Sequence, residues 1–148
     1  MKFLPILFFL VSVGCATPQM TKMYEPSQTA PNKSAVYVYR TSTSVDSANP
    51  DIPRFYINDQ ELGKLKIGGY YSLDIVPGEV SVYYKDSLFG LPLPWKAQEI
   101  HFTAVPGEKY FVKYGTDFGL LTGKTRTFTL APKIIGESEI SSTQLLKN

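Results

Sequence analysis

The sequence predicts an all-β fold, a single small antiparallel β-sandwich of about seven to eight strands. Three observations predict it. Short runs rich in Val, Ile, Tyr and Phe recur at close spacing. Turn signals such as Pro-Gly, Gly-Gly and Asp-Gln separate them. Aromatics reach 14% of the 148 residues, mostly Tyr and Phe, and these residue types favour strands.

The first strand is "SAVYVYR", residues 34–40, a continuous β-branched and aromatic run of the kind buried on both faces. "TSTSVDSANPDIP" (41–53) is a polar loop. "RFYIN" and "ELGKLKI" flank Asp59-Gln60 and predict a hairpin over 54–67. Lys64 and Lys66 alternate with Leu65 and Ile67, as in a half-exposed strand. Gly68-Gly69 ends that run. Strands are then expected at "YYSLDI" (70–75), "EVSVYYK" (79–85), "AQEIHFTA" (97–104), "EKYFVKYG" (108–115) and "RTFTLA" (126–131). The tail "GESEISSTQLLKN" is expected to carry a short helix from about Glu139.

The domain carries an internal repeat. "VPGEVSVYYKDSLFGL" (76–91) and "VPGEKYFVKYGTDFGL" (105–120) align without gaps and share Val-Pro-Gly-Glu at the start and Phe-Gly-Leu at the end. Pro followed by Gly is the signature of a type II turn, so each copy is expected to open with a tight turn that feeds a strand. Glu79 and Glu108 then fall just past a turn, where solvent is the expected environment. With three strands running up, down and up, both Phe-Gly-Leu segments leave the same end of the domain. Their loops, 86–95 and 116–125, hold Leu88, Phe89, Leu91, Leu93, Trp95, Phe118, Leu120 and Leu121. Two readings follow. The apolar loops either plug the open end of the core or form a contact patch for a partner or a membrane.

The N-terminus is not part of the fold. "MKFLPILFFLVSVGC" places Lys2 before an apolar run from Phe3 to Val13, then Gly14 and Cys15. That is the order of a secretory signal, and the run is shorter than the ~20 residues of a membrane-spanning helix. Cys15 is the one cysteine in the chain, so it has no internal disulfide partner. "SVGC" resembles a bacterial lipobox, with Ser12 where Leu is usual. The resemblance implies removal of residues 1–14, lipidation of Cys15 and a partner in membrane lipid. Stable attachment takes more than one acyl chain, at ~0.8 kcal/mol per buried methylene. Ala16 stands where Asp commonly retains such proteins in the inner membrane, so the expected location is the outer membrane of a Gram-negative envelope. Residues 15–33, with three prolines and no hydrophobic period, are expected to be a flexible tether of ~25 Å mean length. The folded domain is expected over 34–148.

Catalytic equipment is sparse. His101 is the one histidine and shares a strand face with Glu99 and Thr103, an exposed position. Lipidation would leave no free thiol. No metal-ligand spacing, phosphate-binding glycine loop or nucleophile motif stands out. Gly123-Lys124-Thr125 lacks the first glycine of a P-loop. Asp74, Asp86 and Asp117 show no spacing that predicts a pair. Net charge is +2 with scattered basic residues, which excludes the clustered stripe of a nucleic-acid binder. No cofactor is expected.

"AVYVYR", "FYINDQELGKL", "GGYYSLDIVPGEVSV" and "VPGEKYFVKYG", in that order over residues 34–135, resemble a family of small bacterial lipoproteins, the domain of unknown function 2846. The order is also similar to surface β-sandwich modules of the PEGA or transthyretin-like kind. The resemblance implies a lipid-anchored sandwich and brings no catalytic residues. The functional expectation is a non-enzymatic envelope module that binds a protein partner or serves structurally, through loops at one end. The alternative is a small carboxylate-dependent envelope hydrolase acting on carbohydrate.

Overall fold

A computed structural model describes residues 18–43, 46, 51–89, 91–119, 121 and 123–147. Two sheets pack face to face without closing into a barrel. The first has six strands in the order β1-β12-β5-β2-β10-β11 and the second four, β4-β3-β6-β9. These are β1 Gln19–Met23, β2 Ser34–Tyr39, β3 Arg54–Ile57, β4 Gln60–Lys64, β5 Gly69–Ile75 and β6 Gly78–Lys85. β7 Ser87–Leu88 and β8 Leu91–Pro92 form a separate ribbon. β9 Gln98–Ala104, β10 Lys109–Gly119, β11 Gly123–Ala131, helix α1 Lys133–Ile140 and β12 Gln144–Lys147 complete the chain.

The eight expected strands are all present, and several expectations are corrected. The six-stranded sheet is mixed, because β2 runs parallel to β10 and β5 parallel to β12. Each parallel pair is joined through other elements, so no tight turn forces antiparallel order. The helix begins six residues before Glu139, and the residues after Ser142 form β12. Pro132 and Gly136 look like breakers in the sequence. In the fold Pro132 precedes the first helical turn and Gly136 is the contact point of the helix. A Cβ at Gly136 would lie 2.3 Å from Phe111 Cβ, so only glycine lets α1 settle this close on β10. Finally, residues 19–24 are not tether. β1 pairs with β12 through Gln19↔Lys147 and Met20↔Leu146. Tyr24 is buried against Tyr37 and Tyr70 at ring separations of 5.6 and 5.8 Å. All five β1 residues are exposed, so backbone pairing holds the strand and no hydrophobic period marks it in the sequence.

Two cores result. Between the sheets lie Val36, Val38, Val112 and Tyr114 from one side and Phe55, Ile57, Val80, Val82 and Tyr84 from the other. On the outer face of the larger sheet, Tyr24, Tyr37, Tyr39, Tyr70, Phe111 and Ile140 form the second. β2 therefore has every residue buried, as its unbroken apolar run predicts. Glu139 pins α1 over this core by accepting from Tyr39 Oη at 2.6 Å and Lys113 Nζ at 2.7 Å. Burial first, and then Glu139, hold the Tyr39 hydroxyl well above its ordinary pKa.

The hairpin turn sits one residue earlier than expected. Asn58 (φ 46°) and Asp59 (φ 65°) are its centre, the positive pair of a type I′ turn, and both residue types tolerate it.

Candidate functional site

The apolar loops lie at one end of the sandwich. Arg54 pairs with both Lys64 and Lys85, so β4 and β6 finish at the same end of the smaller sheet. The chain leaving β6 folds into the β7–β8 ribbon, with Ser87 opposite Pro92 and Leu88 opposite Leu91. Leu93 N donates to Asp86 O at 2.8 Å and closes its base. Phe89 turns the ribbon with a φ of 52°, a left-handed conformation that costs a bulky residue about 1–2 kcal/mol.

The second Phe-Gly-Leu segment is not a loop. β10 continues through Phe118 and Gly119 and pairs with β11 up to Gly119↔Gly123. Arg126 on β11 ties the two segments together. Its Nη1 donates to Asp86 Oδ1 and Oδ2 at 2.9 and 2.8 Å, and its Nη2 to Asp51 Oδ2 at 2.8 Å. Partial burial works against the Arg126 charge, but its hydrogen bonds to Asp86 and Asp51 and the nearby Tyr114 outweigh it and hold the guanidinium above its ordinary pKa. Both segments thus share one end of the domain.

Side chains at this end do not close over the core. Phe89 is 96% exposed, Leu121 99%, Leu91 72%, Trp95 61% and Leu88 57%. Leu93 is half-buried. Plugging is therefore overturned for the five exposed residues. Phe118 is placed only by its register opposite Lys124. Leu120 and Cys15 lie outside the described residues.

Two polar arrangements escape a sequence reading. Arg40 directly follows β2 and is fully buried. It donates to Asp51 O at 2.6 Å and Asp46 O at 3.1 Å and lies 5.4 Å from the Tyr114 ring centroid. Burial pulls its pKa down, while Tyr114, Asp46 and Asp51 oppose that. The Tyr-Arg that ends the first predicted strand thus fastens the 41–53 loop to the sheet. Beside it is a polar cleft of about 370 Å³ lined by Thr41, Thr43, Asp46, Lys113, Asp117 and Thr127. Its groups are bonded to one another or to α1: Asp46 accepts from Thr41, Thr43 and Thr116 N, Asp117 from Thr127, and Lys113 reaches Glu139.

The second is the Asp51–Arg126–Asp86 bridge, which joins residues 75 and 40 positions apart and leaves no local motif. It brings two carboxylates to one guanidinium. The guanidinium fills the space between the two carboxylates where a scissile bond or water would sit. Glu79 and Glu108 have separate partners, Thr103 and Lys133. His101 is 67% exposed and 3.6 Å from Glu99. Among the described residues, no cluster of three His, Cys, Asp or Glu is placed to hold a metal, and no helix is long and apolar enough to cross a membrane.

The model of the family "Protein of unknown function (DUF2846)" matches residues 30–125, more than half of the chain. The protein belongs to that family. No curated protein matches it, and no solved structure does. The matched segment contains both Phe-Gly-Leu segments and most of the core between the sheets, without Phe128 and Leu146. β1, α1 and β12, which build much of the outer layer, fall outside it.

Proposed function

We propose that this protein is a lipid-anchored module of the bacterial cell envelope, held by acylated Cys15 in the outer membrane and acting without catalysis through the apolar tip. One observation carries the reading of the domain: Phe89, Leu91, Trp95 and Leu121 project into solvent from adjoining segments at one end. Large apolar groups gathered and exposed in this way mark contact surfaces. Phe and Trp are also the residue types that anchor interfaces. The signal-like "MKFLPILFFLVSVGC" supports the anchor. The Arg126 guanidinium between Asp51 and Asp86 weighs against the hydrolase alternative.

The anchor has a direct test. Cys15→Ser is expected to shift the protein from the membrane to the soluble fraction. Mass spectrometry of the wild-type N-terminal peptide is expected to begin at Cys15 and carry acyl mass. Unchanged fractionation together with an unmodified wild-type peptide would end this reading.

A further inference from the structure

We propose that the apolar tip contacts the bilayer itself, seating Phe89, Leu91, Trp95 and Leu121 in the interface of the membrane that holds the anchor. The inference rests on lipidation of Cys15. It follows from where the fold begins.

β1 starts at Gln19, so the chain between Cys15 and Pro18 is three residue steps, at most ~11 Å when fully extended. An eighteen-residue tether would let the domain drift; this one holds it against the headgroups. Lys66 Nζ donates to the Pro18 carbonyl. Lys66 lies in the connection from β4 to β5, which leaves the same end of the smaller sheet as the β7–β8 ribbon. β4 and β6 are separated only by β3, two strand spacings or roughly 10 Å. The entering chain is thus tied by Lys66 to the β4–β5 connection, on the end of the smaller sheet from which the ribbon also leaves.

The chemistry of the tip suits a bilayer interface. Trp is favoured at headgroup level because its ring is apolar and its N–H can stay in contact with water. Charges at the base of the tip are paired, Asp86 with Arg126 and Lys96 with Glu99, so shallow seating strips water from few lone ions. The β7–β8 pairing meets part of the ribbon's backbone hydrogen-bonding need. Interfacial groups of this kind sit about 5–10 Å deep, within the reach that the short connection allows.

Trp95 is the one tryptophan in the chain and reports on the tip directly. The test uses the lipidated full-length mature protein in vesicles of phosphatidylethanolamine and phosphatidylglycerol, doped with phosphatidylcholine brominated near the headgroup end of its chains. The protein is expected to float with the vesicles, and its Trp95 emission to shift to the blue and be quenched. Phe89→Ser with Leu121→Ser should still float and keep the wild-type circular dichroism, yet lose the quenching. Emission that stays water-like and unquenched in the floating wild type overturns bilayer contact while leaving the anchor standing. A wild type without acyl mass that fails to float overturns the anchor, and this inference with it. Shielding of Trp95 that appears only after envelope proteins are added assigns the tip to a protein partner and also overturns it.

Discussion

The two repeat copies, 76–91 and 105–120, begin with the same four residues and end with the same three, yet the fold uses them differently. The second opens as expected. Gly107 has φ 80° and Glu108 N donates back to Val105 O at 3.2 Å, a type II turn. In the first copy Gly78 has φ 134° and already lies in β6 opposite Ala104. The faces are then inverted. Val80, Val82 and Tyr84 point into the core between the sheets, whereas the residues aligned with them are Lys109, Phe111 and Lys113, and Phe111 packs in the outer core instead. A strand has a period of two, so an inversion of one residue exchanges its faces. The ends diverge too: one closes in a short ribbon at Phe89, the other runs on as an eleven-residue strand. Sequence identity in a short repeat reflects shared turn and strand preference, and the neighbours decide which face goes inward.

The sharpest way to break this comparison is at the aligned pair Val82 and Phe111. Phe111→Ala is expected to cost ~3–5 kcal/mol, because its ring stacks 5.1 Å from Tyr37 and supports α1 at Gly136. Val82→Ala should cost about 2 kcal/mol. Denaturant unfolding of both variants checks the order; equal losses would mean that the outer core is not the stronger contact. Gly136→Ala should be destabilising alone and less so in a Phe111→Gly background, which removes the Cβ it would meet, a coupling visible in a double-mutant cycle.

A smaller effect separates the turns. Asn is tolerated at the third position of a type II turn, so Gly107→Asn should cost less than about 1 kcal/mol. At φ 134° no L residue is comfortable, and Gly78→Asn should cost ~1–3 kcal/mol. Thermal melts that rank the two the other way would show that the repeats share one turn geometry after all.

The smallest effect concerns one tyrosine from each copy. Tyr83 and Tyr114 are both pushed up to about 12, first of all by burial. For Tyr83 the hydrogen bond to Asp59 at 2.9 Å and the carboxylate charge add to the rise; for Tyr114 the Arg126 charge opposes it. A phenol raised in the folded state contributes stability that is complete below the ordinary value and lost as pH climbs through the folded one. Alkaline loss is therefore expected between about pH 10 and about pH 12. Asp59→Asn should bring Tyr83 part of the way back and leave Tyr114 in place, read from phenolate absorbance or ring NMR shifts. A shift in both tyrosines would show that one network joins the two faces of the smaller sheet.

Much of the fold was legible. The unbroken run of β2 announced burial on both faces, whereas the alternation at 64–67 misled, because β4 ends at Lys64 and the chain turns away there. The apolar tip was legible as composition, since Phe89, Leu91, Trp95 and Leu121 are the wrong residues for a solvated loop. The Asp51–Arg126–Asp86 bridge was not, because nothing local connects those positions. Nor was the start of the domain, because β1 is held by backbone hydrogen bonds and writes no side-chain period.

By itself, the sequence determined the β class, the strands and their turns, the signal-like N-terminus and the apolar character of the two Phe-Gly-Leu segments. These depend on local propensity and on periods of a few residues. Tertiary structure alone decided the parallel pairings, the second core beneath α1, the exposure of the tip and the start of the fold at Gln19. Each of these depends on contacts between residues far apart in the chain, and the free energy of such contacts exists only once the sheets have formed.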